Sequence, residues 1–481
     1  MTSVPVETVM RNPARSQPGP YRPLVSAATR TGLTLLVSIA REFLPLAPGW
    51  HVEPRIFILR TLCEFFGRHV HEALHGPFRR AGLEARLLYN GMFHPLAGGT
   101  KWLKDDAVDV ACIRKYVGVR GMGDFTLIIT LPREVLETED ILHSHEDPRR
   151  WLRDGHYENC TRFASVRHPA GTINSAMFSI NALTSEYIQR FMPPEDDNDL
   201  IRQDIARHKL TNLDFFRNVL KYYASYLKAF LEVRDRFILM RWEDLIRSPV
   251  PTILGLAQAA SIPVSVEQAR SIWGKLDHVN LNGPHRHNYR RGKGIVDDWR
   301  NWLVNQHLDI LREFDLEPVM QELGYGPLAY LDPGAYTPFQ REIAAHIEKG
   351  TVFQEFRDAE LFGFSVQKSN VDWRDLQGFR GYDWKRHTRI ERSCFSDQQL
   401  ELRVWNGVEA AVARVNEILE AFLALPPDSP RGLAAGLRRI MLRHGWKWLP
   451  VDFGYSALWL RRTLRRIERD PALTGNAGVI S

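Results

Sequence analysis

The stretch Arg162-Phe-Ala-Ser-Val-Arg-His-Pro-Ala-Gly-Thr-Ile-Asn-Ser175 decides the fold of this chain. Residues 163–166 form a short apolar run typical of a buried strand, and the proline that follows predicts a helix beginning near Ala170. Arg167 leaves the strand end, and Ser175 lies one to two turns into the helix. Guanidinium and hydroxyl groups both donate to phosphate, and ligands of α/β sheets bind beyond strand ends, so this pair predicts an anion site. A surface arginine and a buried helix serine are the alternative.

Strand and helix patterns alternate along much of the chain. Strand patterns cover residues 85–93, 125–130, 141–145 and 237–240, and helix patterns cover 101–116, 172–190, 212–233 and 249–260. This alternation predicts an α/β fold with a parallel sheet flanked by helices. Beyond residue 326 the pattern is mostly helical. We expect a disordered N-terminal tail (1–24), N-terminal helices (25–84), an α/β domain (85–325) and a mainly helical C-terminal extension (326–481).

The loop at residues 94–100 is a candidate anion cradle. It follows the predicted strand 85–93 and precedes the helix expected to begin at Lys101. Gly98 and Gly99 allow backbone N–H groups to approach a ligand closely, and Thr100 adds a hydroxyl. The dipole of the following helix favours an anion at that end. An ordinary strand-to-helix loop is the alternative.

Four segments, taken in order, resemble the sulfotransferases that use 3′-phosphoadenosine 5′-phosphosulfate (PAPS). They are Ile141-Leu-His-Ser-His145, the element from Arg167 to Ser175, the strand end Phe237-Ile-Leu-Met-Arg-Trp-Glu-Asp-Leu245 and the basic loop Arg290-Arg-Gly-Lys-Gly-Ile-Val-Asp-Asp-Trp299. The resemblance covers about residues 85–325. It implies a P-loop-like sulfotransferase fold, with PAPS as co-substrate and no metal.

The same resemblance implies roles for individual residues. His145 is the expected general base, and His143 stands where the family has the lysine of a Lys-Thr-His segment. Arg167 and Ser175 are expected to bind the 3′-phosphate, and the loop at 94–100 the 5′-phosphosulfate. The other residues implied for the nucleotide site are Gly98, Gly99, Thr100, Lys101, Trp102, Trp273, Arg291, Lys293 and Gly294. Core packing is the alternative for both tryptophans.

The chain departs from the family pattern at the phosphosulfate loop. The family has Pro-Lys-Ser-Gly-Thr-Thr-Trp, whereas this chain has Pro95-Leu-Ala-Gly-Gly-Thr-Lys-Trp102 and lacks the loop lysine. Lys101, Lys104 or His94 would have to supply that charge, and the sequence does not choose among them. We keep Lys101 as a catalytic candidate beside His145 and His143.

Composition limits the partners of this 481-residue chain. The formal net charge of +6 fits an anionic substrate or nucleotide. Zinc-finger spacings and basic runs with interleaved aromatics are absent from the sequence, so nucleic acid is not expected as a partner.

The four scattered cysteines indicate a reduced, cytoplasmic protein and offer no metal-binding cluster. The arginine pairs at 461–462 and 465–466 favour a solvated helix face over a membrane contact. Nothing in the sequence predicts the oligomeric state.

The expected function is the transfer of a sulfuryl group from PAPS to a hydroxyl, or an amine, of a small-molecule or carbohydrate acceptor. Two alternatives stay open. One is a nucleotide-binding or scaffold protein that has kept the fold and lost turnover. The other is a phosphoryl-transfer enzyme of the P-loop kind, which is disfavoured because no Gly-x-x-x-x-Gly-Lys-Ser/Thr occurs in the chain.

Overall fold

A computed structural model describes residues 21–48, 87–90, 101–103, 107–117, 125–132, 141–145, 147–153, 157–178, 195–276, 295–355 and 388–390, and parts of 406–465. The chain divides into two units: unit 1 comprises residues 1–50 and 141–380, and unit 2 comprises residues 51–140 and 381–481. Each unit thus combines segments that are distant in sequence. The expected segment boundaries near residues 85 and 326 do not coincide with this division.

The described strands form two sheets. The strands are β1 (Pro23–Ala27), β2 (Leu87–Asn90), β3 (Lys101–Leu103), β4 (Ala107–Val117), β5 (Phe125–Pro132), β6 (Leu142–Ser144), β7 (Thr161–Val166), β8 (Ile238–Arg241) and β9 (Thr388–Ile390). The sheet of unit 1 has the order β6-β1-β7-β8, and every pairing in it is parallel. The sheet of unit 2 has the order β2-β4-β5-β9, with β3 also paired to β4, and its pairings are antiparallel.

Twelve helices lie within the described residues. They are α1 (Leu33–Phe43), α2 (Arg150–Arg153), α3 (Pro169–Met177), α4 (Glu195–Thr211), α5 (Leu213–Leu231), α6 (Trp242–Arg247), α7 (Pro249–Ala259), α8 (Val266–Leu276), α9 (Asn305–Glu313), α10 (Leu316–Glu322), α11 (Pro338–Glu348) and α12 (Pro430–His444). Those of unit 1 follow or connect the parallel strands. In the part of the chain that the structure describes, no helix is both long enough and apolar enough to cross a bilayer.

Helices cover both faces of the parallel sheet. Val25, Phe163 and Ile238 are paired across β1, β7 and β8, and all three are buried in one apolar cluster with α1, α7 and α8. Neighbouring residues of a strand point to opposite faces. Ser26, next to Val25, accordingly meets the other layer, where its hydroxyl lies 2.9 Å from that of Tyr226 on α5. The α/β class with a helix-flanked parallel sheet is therefore confirmed.

The expected helix over residues 101–116 is wrong, because β3 and β4 occupy those positions. In Val108-Asp-Val110 β-branched residues flank a polar one, a pattern with the two-residue period of a strand. The strands expected at 85–93 and 125–130 do form, as β2 and β5, but in the antiparallel sheet. The parallel sheet instead contains β1, which begins inside the segment that the sequence had indicated as a tail.

Candidate active site

The carboxyl ends of the four parallel strands meet at one edge of the unit 1 sheet. Four parts of the chain follow those ends: the loop 28–32 after β1, His145 after β6, Arg167 after β7 and Trp242 after β8. We call these residues the carboxyl edge. Because ligands of open parallel sheets bind outside this edge, it is the candidate site.

The loop Ala28-Thr-Arg-Thr-Gly32 connects β1 to the N-terminus of α1. Arg30 has a φ of 68° and Gly32 a φ of 99°, so the chain turns tightly before the helix begins. Thr31 is buried and donates to the carbonyl of Ala28 at 2.7 Å. The first N–H groups of α1 and the Arg30 guanidinium give this junction the elements of an anion-binding loop.

His145 is fixed in one neutral tautomer. Its Nδ1 lies 2.7 Å from the carbonyl oxygen of Ala27, which can only accept, so Nδ1 carries the proton and Nε2 the lone pair. Burial lowers the pKa of His145; the hydrogen bond to Ala27 opposes this, and the charge of Arg30 lowers the pKa further. A neutral imidazole with a lone pair on Nε2 is suited to accept a proton. His143 lies one residue before the end of β6, paired with Val25 of β1.

Arg167 and Ser175 lie on the same side of α3. A Cβ atom on Gly171 would come within 3.2 Å of Arg167 Nε, so the guanidinium group lies against the helix at that residue. Ser175 follows Gly171 by one helical turn and is half-buried. The structure therefore brings the two residues to one helix face, as an anion site formed by them requires.

Tyr223 of α5, which sequence reasoning missed, contacts the loop after β1. Tyr223 and Thr29 have their hydroxyl oxygens 2.9 Å apart. Burial raises the pKa of Tyr223, while the Thr29 hydrogen bond and the positive charges of Arg30 and Arg167 act in the opposite direction. Both arginines thus lie within electrostatic reach of one phenol. The only signal in the sequence is the aromatic pair at 222–223 on an amphipathic helix.

Two further cations lie buried on α4. Arg202 and Lys209 are seven residues apart, hence on one helix face, and each is 1 % exposed. Burial lowers the pKa of Lys209 to about 7, and the charges of Arg30 and Arg202 lower it as well. Sequence reasoning missed this pair because α4 is strongly polar, and a polar helix ordinarily indicates a solvated face.

Of the residues expected in and after the loop at 94–100, the structure describes only Lys101 and Trp102. Lys101 and Trp102 belong to β3 of unit 2, so the helix N-terminus expected at Lys101 is absent, because the chain forms an antiparallel strand there. Trp273 lies on α8 and packs against the apolar cluster, as core packing requires. The other predicted residues, Gly98, Gly99, Thr100, Arg291, Lys293 and Gly294, lie outside the described residues, as do His94 and Lys104.

The carboxyl edge combines anion-binding groups with a proton acceptor. Arg30 and Arg167 carry positive charge within electrostatic reach of Tyr223, and His145 presents a neutral imidazole at the end of the adjoining strand. Such a set can bind a polyanion and deprotonate a neutral acceptor beside it. No model of a known protein family matches this chain, and no curated protein matches it significantly.

Proposed function

We propose that this protein is a PAPS-dependent sulfotransferase that binds its nucleotide at the carboxyl edge. The observation that carries the proposal is the adjacency of two strand-to-helix junctions, one with Arg30 and one with Arg167. Thr31 of the first and Ser165 of the second have their hydroxyl oxygens 3.3 Å apart. Two guanidinium groups that follow the ends of neighbouring parallel strands suit a nucleotide with phosphate on both the 3′ and the 5′ oxygen of its ribose.

The loop after β1 is the better match to the phosphosulfate loop of the family. Thr29-Arg-Thr-Gly-Leu-Thr34 has a cation, a hydroxyl residue, glycine and threonine in the order of the family's Lys-Ser-Gly-Thr-Thr. Arg30 takes the position of the lysine that residues 94–100 lack. This assignment replaces the loop at 94–100, and it accounts for the missing charge without Lys101.

Each group at the edge has a role in the proposed reaction. Arg30 and the N-terminus of α1 bind the 5′-phosphosulfate, and Arg167 and Ser175 bind the 3′-phosphate. His145 Nε2 takes the proton of the acceptor hydroxyl as its oxygen forms a bond to sulfur. The bond between sulfur and the bridging oxygen breaks, its electron pair goes to the departing phosphate, and Arg30 stabilises that charge. The products are a sulfate ester and adenosine 3′,5′-bisphosphate.

Substitution of arginine for the loop lysine has a chemical consequence. A guanidinium group stays protonated at any physiological pH and can donate two parallel hydrogen bonds, whereas an ammonium group acts as a point charge. Arg30 can therefore bind both a sulfonate oxygen and a phosphate oxygen. The proposed acceptor is a hydroxyl or amine group of a small molecule or carbohydrate.

Nucleotide binding and turnover test the proposal separately. Adenosine 3′,5′-bisphosphate at a hundredfold excess over its dissociation constant should stabilise the full chain by about 2.7 kcal/mol, and ATP should not. Labelled sulfate should pass from PAPS to a member of an acceptor panel. Equal stabilisation by ATP would contradict the nucleotide assignment. Bisphosphate binding without transfer to any acceptor would favour a binding protein that has lost turnover.

A further inference from the structure

We propose that Trp242 is a positioning residue for Arg167, holding its guanidinium group where it can select a nucleotide with a 3′-phosphate. The inference rests on the proposed function and deepens it, because it assigns the discrimination between ribose 3′-phosphate and ribose 3′-hydroxyl to an aromatic contact. Trp242 itself need not touch the nucleotide.

The guanidinium group of Arg167 lies over the indole. Its Cζ is 3.9 Å from the centroid of the Trp242 ring, the separation of a stacked cation–π pair. The backbone of α3 approaches the same group at Gly171, where a Cβ would come within 3.2 Å of Nε. A long, flexible side chain is thereby restricted by a ring and by a helix before any ligand arrives. Such restriction lowers the entropy that ligand binding would otherwise cost.

Trp242 also contacts the loop that carries Arg30. A Cβ on Gly32 would lie 2.9 Å from Trp242 Cδ1, so the indole reaches the backbone of that loop, and any residue larger than glycine would displace it. The ring is 7 % exposed. The Trp242 side chain therefore contacts both Arg167, proposed to bind the 3′-phosphate, and the loop that carries Arg30, proposed to bind the 5′-phosphosulfate.

Hydrogen bonds on either side keep the indole in place. The buried carboxylate of Glu243 accepts from the backbone N–H of His168 at 2.9 Å and from the hydroxyl of Tyr325 at 2.9 Å. Arg241 donates to Asp244 at 2.6 Å and 2.9 Å. His168 directly follows Arg167, and Glu243 directly follows Trp242. The hydrogen bond between His168 and Glu243 therefore links the backbone beside the cation to the backbone beside the indole.

The test compares two nucleotides on the full chain. Trp242→Leu and Trp242→Met remove the ring face and keep an apolar side chain, and Trp242→Phe keeps a smaller ring. Dissociation constants are measured for adenosine 3′,5′-bisphosphate and for adenosine 5′-monophosphate. We expect the ratio of bisphosphate to monophosphate affinity to fall by about 2- to 30-fold in the Leu and Met variants, and by a smaller factor in the Phe variant.

A double-mutant cycle separates positioning from packing. In an Arg167→Ala background, Trp242→Leu should not change the ratio of bisphosphate to monophosphate affinity any further, because the group that the indole positions is gone. Trp151→Phe is the matched control: Trp151 is fully buried beside Tyr157, which precedes the opposite end of β7, and its replacement should alter neither affinity.

Parallel weakening of both nucleotides, or equal effects of Trp242→Leu with and without Arg167, would overturn the assignment. If the Leu and Met variants do not fold, the Phe variant decides: its ratio of bisphosphate to monophosphate affinity should fall by a smaller factor, and an unchanged ratio overturns the assignment. A wild-type chain that fails to bind the bisphosphate would instead contradict the proposed function, and this inference with it.

Discussion

The imidazole of His145 and the backbone carbonyl of Ala27 lie 2.7 Å apart, so the strand that leads into the Arg30 loop also sets the tautomer of the proposed base. The two elements are β6 and β1, which pair in parallel from Leu24 and Leu142 onward. A change in the register of this pairing would displace the imidazole relative to the loop. Base and anion site are therefore one structural unit.

Replacing His145 should slow turnover strongly and leave nucleotide binding unchanged. A general base contributes about 10²–10⁴-fold to rate, so His145→Ala should lower kcat by that factor, with bisphosphate affinity close to that of the wild type. Both quantities are measured by the transfer of labelled sulfate and by titration calorimetry. Joint loss of binding and turnover would indicate a structural histidine.

The pH dependence of turnover should reflect the lowered pKa of His145. Burial disfavours the imidazolium form, so the base stays deprotonated, and active, at pH values below its ordinary pKa of 6.5. The decline of kcat/KM on the acid side of the pH profile should accordingly have its midpoint below about pH 6.5. A midpoint at or above that value would mean that some other group is the base.

Arg30 and Lys101 provide opposing tests of the phosphosulfate loop. Arg30→Ala should lower kcat by about 10²–10³-fold, the usual effect of removing one donor to developing negative charge, and Arg30→Lys should retain part of the rate. Lys101→Ala should have no effect on kcat if the loop after β1 holds the phosphosulfate. The reverse result would return the assignment to residues 94–100. Arg22→Ala, at the amino end of β1, is the matched arginine control.

Lys209 should destabilise the folded chain near neutral pH. Its pKa is lowered to about 7 in the folded state, whereas an unfolded lysine has an ordinary value near 10.5, so the folded state binds fewer protons between these values. Stability should then rise with pH from about 7 toward 9. Lys209→Met should remove this slope and raise the melting temperature at pH 7. Lys221→Met, on an exposed position of α5, should leave the melting temperature unchanged. A lower melting temperature in the Lys209 variant would contradict this account.

His307 should contribute to acid unfolding. Its Nδ1 accepts from the N–H of Val304 at 3.1 Å, and its Nε2 donates to the carbonyl of Leu210 at 2.8 Å, so both nitrogens are used by the neutral ring. Burial lowers its pKa to about 4. Stability should fall as pH decreases from 6.5 toward 4, where only the unfolded state gains the proton. In urea titrations His307→Gln should show a shallower decline over this range; an identical decline would exclude His307 as the cause.

The part of the fold that could be predicted from sequence is the part with local signals. β7 and α3 are joined by a proline at the first helical turn, which indicates both the strand end and the helix start. α11 begins with Thr337 as its N-cap and Pro338 as its first residue, which are both local signals of a helix start. In both cases the residues that decide the structure lie within a few positions of one another.

β1 could not be predicted in the same way. It is five residues long, contains a serine and follows a proline-rich segment, so its local pattern is that of a tail. Its stability comes from pairing with β6 and β7, which are distant in the sequence. The role of Arg30 could not be predicted either, because it depends on the loop after β1 lying beside Arg167, and the sequence does not show that proximity. The pattern of residues 107–117 likewise does not distinguish a strand from a helix, since mixed runs of apolar and polar residues fit either period.

The central place of β1 in a sheet that is completed only by later segments has a consequence for biosynthesis. Of the four described strands of this sheet, β1 is synthesised first, and its two partners, β6 and β7, begin only at Leu142 and Thr161. A nascent chain with two open strand edges is exposed to aggregation, and such non-local pairing slows folding. Expression yield should therefore depend on chaperone supply, and a fragment that starts at residue 85 would lack the middle of its own sheet.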